Sequence, residues 1–537
     1  MFTTPLQLAF ADANLPAFND SNAVNLSSVA RLYESALNHY GDELFAAVVR
    51  RNSRTREAWM FGAQEVPAAS LNQLRSAVFP DAGYAVLRGA TTDHTVIMKF
   101  GPHGGGHGHF DKLGLTSFAN GSILAVDPGT QSYAAPTHAT WDQLTVAHNT
   151  VVVDQQTQAQ ATGRLLWSDF GEIYSAARAD AGSAYSGVRM DRTLLITDEY
   201  ALDLFRANAT DGRARRFDWV YHNAGTVTTD LFLTPYAAFP TNNGYQNLTA
   251  NRSAATDASW QLTFDGTPRT PANTGAVFAS TSAVKGSFQL TTEQVAEGRT
   301  AAKINYEFNG SGYLLYTAPV TSAQPANVPT GMRVMVYGDG SGHTLALRIN
   351  DDTDERFVKV VGPVNWTGWK QIEITGLETW THYLGNNDGI VDLPLRNISF
   401  EWQQSTNGPK SGSIFVDSVK LLYGEEDRIA VDFELTARSL RLSMMGTQAT
   451  NIVTGNGLGP NLLVPVPYVM ARRSGTSAEF VALLEPFTDS PTVQLFELDS
   501  DGRFLVRGRN FEDRFTLTGN GVEGFERVRL GTLTGLN

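Results

Sequence analysis

Three of the chain's ten histidines fall within seven residues: His103, His107 and His109 of "GPHGGGHGHFDKLG". Asp111 follows two residues later, and Asp127 stands in "SILAVDPG". Side chains of these types at such spacing can ligate a metal, move protons, or decorate a glycine-rich turn. His107 and His109 are two apart, so on a strand they would point to one side, whereas a glycine-rich loop leaves their directions open. His148, in "TVAHNTVVVD", precedes a further strand-like run, and residues flanking the ends of neighbouring strands can converge in space. A His, Asp, His set offers two nitrogens and an oxygen, which suits Zn²⁺ with water or another group as fourth ligand. Asp-Pro-Gly is equally an ordinary turn, and glycine-flanked histidines are common in loops. Spacing alone leaves all three readings open.

The elements that must position these residues are mostly strands. Hydrophobic residues make up 42% and charged residues 18% of 537, the balance of a globular chain of several domains. A net charge of −13 argues against a general nucleic-acid binder, and an acidic ligand would need a local basic pocket. No run approaches the roughly 18 apolar residues of a membrane span. Cysteine is absent, so a metal here must use nitrogen and oxygen donors. The opening "MFTTPLQLAFADANLPAFNDSN" lacks the basic and long apolar stretches of a signal peptide.

Residues 23–51 carry apolar side chains at helical spacing, with Val29, Leu32, Tyr33 and Leu37 on one face and Leu44, Phe45 and Val48 on another. Gly41 separates them into two helices. From about Ala82 the period becomes two: "YAVLRGATTDHTVIMKFG" predicts two strands around a polar turn, and "NTVVVD", "RTLLITDEYALDLFRA" and "RFDWVYHN" continue the pattern. The stretch "FDGTPRTPANTGA", rich in proline and glycine, marks a linker. Beyond it, to Gly424, short strands separated by turns predict a jelly-roll β-sandwich, and "VDFELTARSLRLSMMG" resumes long strands. The expected fold class is mainly β with N-terminal α, the sandwich module lying as an insertion within a larger antiparallel β domain.

The series "HGHFDKLGLTSFANGSILAVDPGTQSY" and "TVAHNTVVVD", with "FPDAGYAVLRG", "RTLLITDEYALDLFR" and "FDWVYHN", resembles the heparinase II/III-like polysaccharide lyases, whose relatives include alginate and oligoalginate lyases. The resemblance spans roughly residues 15–263 and 428–530. It implies an (α/α) toroid packed on an antiparallel β-sandwich, with the active site between them. Residues 1–80 would be the last helices of the toroid, 81–264 and 428–537 the lyase β-sandwich, and 271–424 an inserted carbohydrate-binding-like module.

By the same resemblance His109, Asp127 and His148 match the zinc ligands, a mainly structural site, and His107 matches the histidine that faces substrate. Tyr133 falls at the position of a catalytic tyrosine, and Asp111 is expected to orient a histidine as a hydrogen-bond acceptor. These lyases cleave uronic-acid polysaccharides by β-elimination: the C5 proton leaves, charge on the carboxylate is stabilised, and O4 gains a proton. A neutral imidazole can hydrogen-bond that carboxylate or move a proton near neutral pH. A tyrosine can serve if cationic neighbours lower its pKa.

Other residues have plainer expectations. His222 reads as a satisfied structural histidine, His103 and His138 as exposed, and Trp141 as packed. Arg164 and Arg192 are expected to pair with nearby carboxylates. Of Trp366, Trp369, Trp380, Tyr383 and Trp402 in the module, Trp366 and Trp380 are the expected sugar-stacking residues. The family's asparagine–histidine pair and base tyrosine lie upstream of the "LPAFNDSN" segment, so this sequence is expected to hold only part of a lyase, periplasmic or secreted in its parent protein. The implied partner is an acidic polysaccharide such as alginate or a glycosaminoglycan, with no nucleic acid and no membrane span. The alternative function is a zinc-stabilised, non-catalytic glycan-binding protein.

Overall fold

The computed structural model describes residues 2–50, 58–67, 69–266, 275–297, 300–320, 327–424, 426–431, 438–460 and 464–530. Most of the linker "FDGTPRTPANTGA", the module's expected start at Pro271 and the first strand residues after Val431 lie outside them. The chain forms two compact units, residues 1–267 with 437–537, and 268–436. The sheets are antiparallel throughout and the helices lie near the N-terminus, so the protein is mainly β with N-terminal α. No helix among the described residues is long and apolar enough to cross a membrane.

In the first unit the helical period of residues 23–51 becomes a 3₁₀ turn Leu26–Val29, a helix Ala30–Tyr40 and a short helix Ala46–Val49. Gly41 ends the main helix in the left-handed conformation, φ 70°, which glycine adopts without strain. Tyr33, Ala36 and Leu37 pack on Phe45, Val48 and Val49, but Leu32 is exposed. The helix buries the stripe through Tyr33, and Leu32 lies about 100° from it, so only one of the two adjacent apolar residues is covered.

The hairpin of Tyr84–Arg88 and Thr95–Lys99 forms as the alternation predicts, and Gly114–Ala119 extends it in a five-stranded antiparallel meander. Both faces of this sheet are buried. Ala85, Leu87, Val96 and Met98 enter the main sandwich core, while Val86, Ile97 and Phe118 meet Phe10 and Phe18. Phe10 stacks on Phe118 at 5.2 Å and Phe18 on Tyr84 at 5.4 Å, laying the segment before Asn19 across the sheet. The main core lies among this meander, an eight-stranded sheet and a six-stranded sheet. The chain leaves the eight-stranded sheet after Trp260–Asp265 and returns beside that strand as Ser439–Met444. A four-stranded meander, Val493 to Arg529, covers the other face of the eight-stranded sheet through Val506, Phe511 and Phe515.

The second unit is a sandwich of a six-stranded and a five-stranded sheet, with one further short strand on the latter, around a core that holds Tyr316, Phe400, Trp380 and Trp402. Trp380 is 2% exposed and cannot stack on a sugar, which corrects the sequence expectation. The apolar interior between the sheets draws in its indole, and aromatic content alone does not tell a core ring from a platform. Trp366 is half-buried against the core, and the Lys370 ammonium lies 4.6 Å from its ring, so it too makes a poor platform. Among the five aromatics Tyr383 is the most exposed, at 37%.

Candidate active site

The histidine-rich segment leaves strand Thr95–Lys99, makes a 3₁₀ turn at Gly105–His107 and re-enters the sheet at Gly114. Gly108, between the two site histidines, is fixed by space: a Cβ there would lie 1.8 Å from the His103 carbonyl oxygen. His148 follows a 3₁₀ turn, Thr145–Ala147, just before strand Val151–Val153. Its neighbour Asn149 is a buried staple. The Asn149 amide donates to the Leu115 and Val126 carbonyls at 2.9 and 3.0 Å, and its oxygen accepts from His222 N at 2.6 Å. Thr150 Oγ1 donates to the Lys112 carbonyl at 2.7 Å. The loops carrying His109, Asp127 and His148 are thereby held together.

These loops bring the predicted residues into one place. His109 and His148 are fully buried with ring centroids 5.3 Å apart, and His148 Nδ1 lies 3.1 Å from Asp127 Oδ2. Above them, 75% exposed, stands His107, with its Nδ1 3.2 Å from the Tyr133 hydroxyl. Two further groups complete the cluster. Asp20 reaches His107 Nδ1 with one oxygen and His109 Nε2 with the other, each at 3.1 Å, and His138 Nε2 lies 3.8 Å from it. His138 also sits edge-on to Tyr133 at 4.9 Å. The expectation that His138 is exposed is therefore wrong: the Asp20 and Asp142 carboxylates draw it in. His103, half-buried against Phe110, departs from its expectation in the same way.

Asp20 and its neighbour Asn19 are not among the expected site residues: they lie about 90 residues before the motif, and nothing in the local sequence says which distant loop they meet. Their signal is the local polarity of "FNDSN" after two aromatics that pack on the sheet. Asp20 N donates to the His107 carbonyl at 3.2 Å, and Asn19 Oδ1 accepts from His109 N and from Lys99 Nζ.

The buried donors fit a metal. A carbonyl can only accept, so His148 Nε2, 3.0 Å from the Asp142 carbonyl, carries the proton of the neutral ring. His148 Nδ1 then faces Asp127 Oδ2 as lone pair to lone pair across 3.1 Å, an arrangement that needs a proton or a metal ion. Two ligands on one tetrahedral zinc stand about 3.3 Å apart. The same logic applied to His109 leaves its Nδ1 as a buried acceptor with no partner among the described residues. Without an ion, burial drives the His109 pKa down to about 4, whereas for His148 the Asp127 carboxylate outweighs burial and raises it.

Asp111 forms a tight group with His109 and His148, all within 4.8 Å, and offers a second oxygen for the same position. Its carboxylate is committed elsewhere. Lys99 Nζ lies 2.6 Å and Lys112 Nζ 3.7 Å away, holding Asp111 well below the usual carboxylate range despite its burial. Two ammonium groups there oppose a dication, and Asp127, whose Oδ2 faces His148 Nδ1 at 3.1 Å, is the alternative oxygen donor. Asp111 thus neutralises lysines rather than orienting a histidine by a hydrogen bond.

The remaining expectations divide. Arg192 and Arg164 pair with Asp203 and Asp180, as strand arginines are expected to do, and Trp141 is buried. His222 is buried, but neither ring nitrogen has a hydrogen-bond partner among the described residues, and burial pushes its pKa down to about 3. Its ring is held instead by Trp141 and Tyr468. For Tyr133, partial desolvation and the Asp20 carboxylate raise the pKa, opposite to the expected cationic lowering.

A buried His/Asp/His group thus lies beneath an exposed His/Tyr pair on an antiparallel β-sandwich. Residues 72–326 match the family described as heparinase II/III-like, C-terminal. The chain is 27% identical over 199 residues to an exo-oligoalginate lyase of Saccharophagus degradans, covering 32% of this chain and 27% of that protein. It is 30% identical over 201 residues to an alginate lyase of Stenotrophomonas maltophilia, covering 31% and 26%. The matches take in about a quarter of each curated relative. Among solved structures, the heparan sulfate lyase HepC of Pedobacter heparinus covers 99% of this chain and 53% of its own, at 10% identity and TM-score 0.43. A family 11 carbohydrate-binding module of Clostridium thermocellum covers 28% of this chain at 19% identity and TM-score 0.23.

Proposed function

We propose that this protein is a polysaccharide lyase that cleaves a uronic-acid polysaccharide outside the cytoplasm by β-elimination, with zinc held by His109, Asp127 and His148. The observation that carries the reading is the exposed His107–Tyr133 pair, 3.2 Å apart, above those buried ligands. The alginate-lyase relatives support the reaction class. Bound zinc supplies a fixed positive centre that orders the loop between Gly101 and Gly114.

In the elimination the C5–H bond breaks, its electrons form the C4–C5 double bond, and the C4–O4 bond breaks with O4 taking a proton. His107 faces solvent, where it can hydrogen-bond the uronate carboxylate or help to move the C5 proton. The Tyr133 phenol is protonated at neutral pH and stands 3.2 Å from His107, which places it as the proton donor to O4. Both groups meet at Asp20, so their relative position is set before substrate arrives. The test is the rise in ultraviolet absorbance from the unsaturated uronate, with alginate and heparan-type substrates. Turnover that survives Tyr133→Phe and His107→Ala unchanged would place the chemistry elsewhere.

Zinc is expected at about one equivalent per chain after purification without added metal. Chelator should lower the melting temperature, since an ion bound only by the folded state stabilises it. Less than about 0.2 equivalents, with no thermal shift, would remove the metal from this reading.

The 268–436 unit is proposed as the glycan-holding module. Its support is a row on the face of the five-stranded sheet opposite the core, where Lys303, Phe415, Tyr337 and Trp369 occupy paired positions on four neighbouring strands. Tyr337 packs edge-on to both Trp369 and Phe415 at 5.5 Å, leaving Trp369 at the end of the row. Trp369→Ala in the full chain is expected to abolish retardation in affinity gels containing the bound polysaccharide. Retardation equal to wild type would move the binding surface off this sheet.

A further inference from the structure

We propose that Asp20 is a positioning residue that fixes the tautomers of His107 and His109 together, linking the zinc-holding histidine to the proton-transfer histidine. The inference rests on the lyase reading for its use, but its geometry stands apart from it. An ionised carboxylate has no proton to give, so each ring nitrogen that it meets at 3.1 Å must carry one. His107 is thereby held as Nδ1–H, with its Nε2 lone pair turned outward as a proton acceptor. His109 is held as Nε2–H, and its Nδ1 lone pair is left to a metal. One carboxylate sets both choices.

The arrangement is built rather than incidental. Asp20 is 3% exposed at its side chain, its backbone amide binds the His107 carbonyl, and Asn19 clamps the His109 amide from the same dipeptide. The other groups facing it are His138 and the Tyr133 hydroxyl. Because Asp20 already takes the Nδ1 proton of His107, the tyrosine oxygen faces that N–H, and the tyrosine proton rests on Asp20 until O4 of a substrate takes it. A histidine side chain free in water favours the Nε2–H form, so a surface histidine locked as Nδ1–H is a signature that exposure alone does not produce.

The replacement Asp20→Asn keeps the shape but leaves one acceptor for two ring N–H groups, with an NH₂ facing the other. Long-range proton–nitrogen correlation spectra of histidine side chains in the zinc-loaded full chain read the tautomers directly. Wild type is expected to show His107 as Nδ1–H, and Asp20→Asn to shift it towards Nε2–H. Competition with a chromophoric chelator should show zinc binding weakened about 10–100-fold, the usual effect of losing a carboxylate behind a metal-bound histidine. The variant is also expected to lower kcat more than it raises KM. An Nε2–H His107 in wild type overturns the proposal, as do unchanged tautomers and unchanged zinc affinity in a folded Asp20→Asn. If the variant does not fold, the wild-type spectrum decides alone. Expected tautomers in a protein with no lyase activity would sink the lyase reading and leave this one standing.

Discussion

Asp203→Ala is expected to destabilise the first unit by about 3–5 kcal/mol, the effect of stranding one partner of a buried ion pair. Arg192 and Asp203 are both fully buried, joined through Nε at 2.8 Å and Nη2 at 2.6 Å. Asp203 also accepts from the Trp219 indole at 3.0 Å. Arg192 Nη1 donates at 2.6 Å to both the Leu113 and Asn149 carbonyls, the residues that close the histidine loop and follow His148. The pair therefore braces the floor of the site. Removing the carboxylate leaves a guanidinium with carbonyl partners only, in an apolar surrounding. Denaturant unfolding followed by tryptophan fluorescence measures the loss, and zinc content should fall with it. A volume-matched double change, Arg192→Met with Asp203→Leu, should lose much less stability because no charge is left unpaired. A single change within about 1 kcal/mol of wild type would show that water reaches the pair.

His107→Ala is expected to reduce elimination by about 10²–10⁴-fold, the range for loss of a positioned acid or base. Zinc content and melting temperature should stay close to wild type. The side chain is largely exposed, and its ring contacts are Asp20 and Tyr133 rather than His148 or Asp127. By contrast, His148→Ala removes a fully buried ring and should lower zinc, stability and turnover together. The split separates a residue that acts on substrate from one that holds the loop. Equal loss of zinc in both variants would make His107 a ligand and overturn the division of roles.

What the sequence determined by itself was local. Short apolar runs on either side of a polar turn set the strands Tyr84–Arg88 and Thr95–Lys99, and both faces of these strands are buried. The glycines around His107 and His109 announced a tight loop, and the histidines with Asp127 announced donors suited to zinc. All of these lie between Tyr84 and His148, a stretch short enough for pattern to be readable. The tertiary structure decided everything that depended on which surface is covered, and by what. Leu32 and Tyr33 look alike in sequence, yet packing buries only one. Trp380 has the composition of a sugar platform and the position of a core residue. Asp111 sits beside the motif but belongs to Lys99, while Asp20, 89 residues away from His109, holds both site histidines. Helical and strand periods arise from backbone geometry and are written in neighbouring residues. The partner of a charge or a ring is chosen by the free energy of burial, and burial is fixed only when distant segments meet.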